Sequence, residues 1–378
     1  MATEGLTPPR SSPPRPRDAK AYHRIRLFTG IASSFLTVAL FVALVTVPPG
    51  RALAAACTTL ARGGWGAFLL YGAAVALING IATLPLDWYA SYRVEHRFGL
   101  SAQTPGTWAL ERLKALGVGA PLAAGALCLL YVCLGRFGSS WWLPAGIFVT
   151  LFSVLLSRLA PVVILPLFYR LTPLEEGTLK TRIMHLAEQA GVRAAGVFSF
   201  NLSKNTHKAN AALTGIGHAR RIILGDTLLG SFSEEEIETV FAHELGHLRH
   251  GHIWRGMAFG TVMTFLSLYA AARLYPATAA WCGTGSVDAP GSLPLLGIWF
   301  ILFSLVTAPI GNAFSRHNER QADAYAVRAT GKREAFAAAL AKLGAMNMAD
   351  TAPHPALEFF FYSHPAISRR IAAALGGR

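Results

Sequence analysis

The sequence predicts a mainly α fold: a polytopic membrane helix bundle of six spans around a chamber, with a small α+β unit on its cytoplasmic side. Three observations carry this. The chain of 378 residues is 53% hydrophobic and only 14% charged, too apolar for an ordinary soluble domain. Six apolar stretches are long enough to cross about 30 Å of hydrocarbon. The motif His243-Glu-x-x-His247 lies in a polar segment between the fourth and fifth of them.

Residues 1–24, rich in Pro, Ser and Arg without apolar periodicity, are predicted to form a disordered basic tail. An N-terminal membrane domain of four spans follows over 25–168, with apolar runs at 27–47, 66–86, 115–134 and 141–168. The fourth run contains Arg158 and Pro161, which predicts a kink or tilt, and Arg158 either faces a watery interior or marks where the helix leaves the bilayer. Residues 169–256 form a cytoplasmic region. There 174–190 reads as an amphipathic helix, 195–202 and 220–224 as short strands, and 208–214 as an edge strand. A two-span hairpin over 257–314, with apolar runs 257–275 and 293–314, then leads to a C-terminal region, 315–378.

The formal charge of +14 is concentrated in segments that alternate with the apolar runs. Arg10, Arg15, Arg17, Lys20, Arg24 and Arg26 precede the first run, and Arg93, Arg97, Arg112 and Lys114 separate the second from the third. Residues 276–292 hold no Lys or Arg. The asymmetry puts both termini and the histidine motif in the cytoplasm. No nucleic-acid motif accompanies the charge, so no nucleic-acid partner is expected. Cys57, Cys128, Cys133 and Cys282 have no C-x-x-C spacing and are not expected to ligate metal; a Cys57–Cys282 disulfide is compatible with the topology.

The stretch 234–252 should be helical. Ser233 and Glu236 form a capping box, three glutamates occupy the first turn where the helix dipole favours them, and Ile237, Val240, Phe241 and Leu245 supply an apolar face. Residues four apart on a helix differ by about 40° of rotation, so His243 and His247 project together and can share one metal ion. Glu244, about 100° away, can reach a water at that metal without ligating it. This is the arrangement of a zinc hydrolase.

Two histidines leave such a site one protein ligand short. Downstream, Glu319 and Asp323 lie four apart on the extension of the sixth span; Glu319 is predicted to complete the metal set and Asp323 to bind the far nitrogen of a ligating histidine. His317, His250 and His252 compete as ligands, but His250 and His252 are out of phase with the metal face. One Zn2+ per chain would acidify water, with Glu244 as proton carrier for amide hydrolysis.

From about residue 70 onward the chain resembles the integral-membrane zinc metalloendopeptidases of the type I CAAX prenyl protease family. The resemblance rests on Tyr92-Arg-Val-Glu-His-Arg-Phe-Gly-Leu-Ser101 with Gln103 and Thr104, on Pro166-Leu-Phe, and on the metal motif. Asn210-Ala-Ala is similar to the family's Asn-Ala-Tyr element, with Ala212 in place of tyrosine, in a hairpin continuing through Gly215. Ser363-His364-Pro365 with Arg370 is similar to its Thr-His-Pro motif and following arginine. The resemblance implies a zincin-like peptidase unit in which Asn210 holds the substrate backbone beside an edge strand. It implies that His364 stabilises the oxyanion, and that Arg370 binds a substrate carboxylate or braces the site. It further implies a peptide or protein substrate, lipid-modified where the enzyme cleaves near a prenylated C-terminus. Two alternatives stand beside it: a quality-control protease of broad specificity, and an inactive multi-span scaffold or transport protein.

Overall fold

The computed structural model describes residues 16–192, 196–214 and 221–377. Six helices are long and apolar enough to cross a membrane: Arg17–Thr46, Gly64–Arg97, Pro105–Ser140, Trp142–Phe168, His252–Cys282 and Ser292–Thr330. Each overlaps one of the six predicted runs, and all but Trp142–Phe168 extend beyond theirs at one end or both. Large apolar side chains such as Phe28, Phe35, Leu77, Leu113, Leu151 and Val306 point outward and stay exposed, as a lipid-facing surface requires.

The predicted disordered tail needs correcting. The first helix begins at Pro16, so residues 16–24 are helical, while 1–15 lie outside the described residues. Tertiary contact outweighs the local composition there. Tyr22 is buried against Val94, Phe98, Leu100 and Met348, and its hydroxyl donates to Glu95 at 2.5 Å. The fourth span departs from regular α-helix at a π turn, Ala160–Ile164, around Pro161; Arg158 stands exposed just before it. All four cysteines are free thiols, so the disulfide between Cys57 and Cys282 is not formed.

Between the fourth and fifth spans lies a four-stranded sheet in the order β1-β2-β4-β3: β1 (Leu171–Pro173), β2 (Val197–Phe200), β3 (Ala211–Thr214) and β4 (Arg221–Gly225). β2 and β4 run parallel, and the other pairs are antiparallel. The strand predictions at 195–202 and 208–214 contain β2 and β3, and 220–224 covers β4 up to Leu224 but misses Gly225, although Ala195, Gly215 and Arg220 fall outside the described residues. β1 has only three residues, too few to leave a periodic pattern. The amphipathic helix is Thr178–Gln189.

One face of the sheet packs with Ile183, Ile222, Leu224, Ile237, Phe241 and Phe336 into a core shared with the metal helix and the C-terminal region. The other face, with Phe200, Leu202 and Ile223, meets Leu165 and Tyr169 at the end of the fourth span. The sheet is thus wedged between the metal helix and the membrane bundle.

Candidate metal centre

The metal helix runs from Glu234 to Arg249. Its start is fixed by the predicted capping box: Ser233 Oγ accepts from the Glu236 amide, and Glu236 returns a carboxylate to the Ser233 amide at 2.8 Å. Lys342 Nζ donates to the same carboxylate at 2.7 Å. Burial works to raise the Glu236 pKa, but the hydrogen bonds from Lys342 and Ser233 prevail and hold it below the usual carboxylate range.

The third ligand candidate arrives on a different rod. The sixth span continues unbroken from Ser292 to Thr330, carrying Glu319 and Asp323 out of the bundle to the metal helix. Gly246 makes the close crossing possible: a Cβ there would lie 2.8 Å from Ala322 Cα and 3.1 Å from Ala322 O. Gly246 sits between His243 and His247, and Ala322 between Glu319 and Asp323, so the point of closest approach sets the two pairs facing one another.

The resulting donor set is compact. Nε2 of His243 and Nε2 of His247 are 3.1 Å apart. Glu319 Oε2 is 3.5 Å from the first and Oε1 is 3.3 Å from the second. A tetrahedral ion with bond lengths of about 2.0–2.1 Å has donor-to-donor edges of roughly 3.3–3.4 Å; the two nitrogens and the two carboxylate oxygens lie near that spacing, and one ligand atom from each of the three residues falls within 4.8 Å of the others, close enough to hold one metal ion. Glu319 Oε2 is buried without a hydrogen bond, a costly arrangement for a carboxylate unless a cation completes it. Among the described residues, His243, His247 and Glu319 are the one cluster of this kind.

Behind each histidine stands a partner. Asp323 Oδ1 is 2.9 Å from His243 Nδ1. The fork of Arg370 grips Asp323 at 2.8 and 2.7 Å and lies 3.5 Å from Glu319, a bidentate geometry that fixes the carboxylate's plane. Burial alone would lower the His243 pKa; the Asp323 and Glu319 carboxylates prevail and push it up to about 9. His247 Nδ1 lies 2.9 Å from His252 Nδ1, and His252 Nε2 lies 2.9 Å from Gln321 Oε1. Arg255, which can only donate, also reaches Gln321 Oε1, at 3.0 Å. Gln321 Oε1 is therefore an acceptor, His252 donates from Nε2 and accepts at Nδ1, and His247 donates from Nδ1. That tautomer leaves the His247 Nε2 lone pair free for a metal.

The role of His252 escapes sequence phasing. Five helical residues after His247 would place it about 140° away, but the metal helix ends at Arg249 and Gly251, with φ of 66°, turns the chain before the next helix begins. A glycine directly before a histidine that starts a new apolar run is the available signal.

A cavity of about 360 Å³ is lined by His243, Glu244, Glu319, His364, Asn210 and Arg370. Burial pushes the Glu244 carboxyl above the ordinary range, against the pull of His243 and His247. His364 Nε2 is 3.4 Å from Glu319 Oε1, and its Nδ1 is 2.9 Å from Ser363 Oγ. The His364 side chain keeps 60% of its surface exposed, and partial desolvation at the cavity lowers its pKa against the pull of Glu319.

The segment leading to His364 is tied to the sixth span by Arg316, which donates to the carbonyls of Glu358 and Tyr362 at 2.9 and 2.6 Å, a clamp that sequence reasoning missed. Asn210 follows Ala209, whose amide and carbonyl are both bound by Asn347. The loop before it is held by the 92–104 signature: Thr206 Oγ1 and the His207 amide donate to Leu100 O, and Gln103 donates to Asn205.

With this geometry in hand, comparison with known proteins is specific. Residues 173–377 match the profile described as peptidase family M48, and residues 13–170 match the one described as CAAX prenyl protease N-terminal, five membrane helices. Within 13–170 the structure has four long apolar helices and the 13-residue helix Pro48–Leu60. The chain is 32% identical over 305 residues to an uncharacterized metalloprotease, YhfN, of Bacillus subtilis, covering 79% of this chain and 71% of that one. It is 31% identical over 323 residues to CAAX prenyl protease 1 of Saccharomyces cerevisiae, covering 79% and 70%. The crystal structure of S. mikatae Ste24p has the same fold, with a TM-score of 0.78 at 24% identity over 97% of this chain and 92% of that one.

Proposed function

The chain belongs to peptidase family M48, as a membrane metalloprotease resembling the CAAX prenyl proteases, and from that premise we propose that His243, His247 and Glu319 hold one Zn2+ for peptide-bond hydrolysis. The observation that carries the reading is the convergence of two imidazole nitrogens and a buried carboxylate at mutual distances of 3.1–3.5 Å. When bound, zinc supplies Lewis acidity toward a carbonyl oxygen and toward water.

In this reading the protein's own groups divide the remaining work. Glu244 takes the proton of the attacking water and passes it to the departing amine, and its raised pKa suits a group that must hold a proton between two steps. A Ser363 hydroxyl donating to Nδ1 of His364 leaves the proton on Nε2, which faces the cavity as a donor to the developing oxyanion. Asp323 orients His243, and Arg370 braces Asp323 and Glu319 through its Nε and one terminal nitrogen, which favours bracing over binding a substrate carboxylate. Asn210 beside β3 holds the substrate backbone.

The substrate in this reading is a peptide or protein cut near its C-terminus, lipid-modified as the name of the yeast relative suggests. The functional division into a tail, a four-span domain, a 169–256 peptidase region, a two-span hairpin and a 315–378 region that completes the site belongs to the same proposal, as does a chamber between the spans. The Lys and Arg asymmetry supports a cytoplasmic active site and cytoplasmic termini.

Purified full-length protein in detergent, offered a farnesylated C-a-a-X peptide and an unmodified, unfolded membrane protein, tests this. Zinc-dependent cleavage of the first, lost in Glu244→Gln, is the expected result. Equal zinc content in wild type and His243→Ala, with neither substrate cut, would favour an inactive scaffold.

A further inference from the structure

We propose that a second cavity, behind β3, is a subsite for a large apolar side chain of an extended peptide, and that Ala212 sets what it admits. The proposal deepens the peptidase reading above and rests on it.

β3 is an edge strand. The Gly225 amide donates to Asn210 O at 2.9 Å, and the register pairs Ala211 with Leu224 and Ala212 with Ile223. Asn210 and Gly225 therefore face each other as a hydrogen-bonded pair, and in an antiparallel ladder such pairs alternate. Ala212 turns its backbone groups inward to β4, and Ala211 and Leu213 turn theirs to the open edge. A peptide laid along that edge gains main-chain bonds at Ala211 and Leu213 and sends alternate side chains to opposite faces of the sheet.

Those faces open on different cavities. Ala211 lines the one containing His243 and Glu244. Ala212 lines the other, of about 480 Å³, walled by Ala160, Pro161, Leu165, Phe200, Ile223 and Ile253. Asn210 borders both, so one extended peptide reaches the two together. The second cavity falls in the range of roughly 300–1,000 Å³ typical of small-ligand pockets, and its wall is almost wholly apolar. The substrate side chain opposite Ala212 shares its face and enters this cavity, where a methyl group at 212 leaves the room that a larger residue would fill. A leucine or phenylalanine side chain and an isoprenyl thioether offer the same chemistry.

The test uses zinc-loaded full-length protein and peptides identical except at one position, carrying Ala, Leu, Phe or S-farnesyl-Cys, scanned along the chain. At one register the large apolar residue should raise kcat/KM over Ala by about 10- to 200-fold, the range by which apolar pockets discriminate. A gain for Leu and Phe identifies an amino-acid side chain as occupant; a gain for the farnesyl peptide alone identifies the isoprenoid. Ala212→Tyr and, from the opposite wall, Ile253→Trp should each bring the ratio toward one, with Ala212→Ser retaining it. The two fillings come from separate elements, so misfolding of one leaves the other decisive. Cleavage at an unchanged ratio in both, or no preference in wild type at any register, overturns the subsite alone. Failure of the zinc-loaded wild type to cut any peptide overturns the peptidase reading and the subsite with it.

Discussion

The Nδ1 atoms of His247 and His252 stand 2.9 Å apart, with His252 held in turn by Gln321 at 2.9 Å. The imidazole of His247, one of the three converging donors, is thereby locked in one tautomer by a side chain outside that cluster. Removing such a support usually costs about 10- to 100-fold in metal affinity. His252→Ala, and separately Gln321→Leu, should weaken zinc retention by that factor in chelator competition, while Gln321→Glu keeps an acceptor and retains most of it. Unchanged affinity in the first two would remove His252 from the support of the site.

Glu244 borders the cavity but is not among the three converging donors. Glu244→Gln should keep its zinc and its melting temperature, yet lose about 10²- to 10⁴-fold in kcat, the usual contribution of a positioned proton carrier. Metal analysis beside single-turnover peptide cleavage checks both halves, and loss of the metal would move Glu244 into the ligand set.

The Gly246–Ala322 crossing leaves no space for another carbon. Gly246→Ala forces backbone apart, an overpacking worth roughly 1–3 kcal/mol, and displaces His243 and His247 from Glu319 together. A lowered melting temperature in detergent with weakened zinc binding is expected. A variant that melts and binds metal as wild type does would show that the two helices yield at no cost.

Acid stability should carry the mark of Glu236. Its folded pKa lies below that of the unfolded chain, so its contribution is complete above about pH 4.3, the ordinary glutamate value, and fades as pH falls through the lower folded value. Relative to wild type, Glu236→Gln keeps the capping box but loses the charge, so it should be less stable by about 1 kcal/mol near pH 7, the difference between charge-assisted and neutral hydrogen bonds, and the gap should close toward pH 3. Parallel thermal melts across that range check it; a gap independent of pH would mean that the charge is not what matters.

The ligand set is legible because its spacing is the helix period itself: His243 and His247 four apart, then Glu319 and Asp323 four apart, each pair on one unbroken helix. His252 is hidden because the left-handed turn at Gly251 resets the phase that sequence counting assumes. The helical start at Pro16 is hidden for a different reason: Tyr22 is fixed by Phe98 and Met348, partners scores to hundreds of residues away. Arg370 shows a third limit. Its position in a motif does not say that Asp323 takes its Nε and one of its terminal nitrogens, a pairing that only the packed fold reveals.

The helix that brings Glu319 to its partners is also the last helix of the bundle, one continuous element from Ser292 to Thr330. Anchor and blade are consequently one piece. Cutting the molecule at the bilayer surface would sever the carboxylate from its footing, so a detached water-soluble half has no route to activity, and whatever is to be cleaved must come to the membrane.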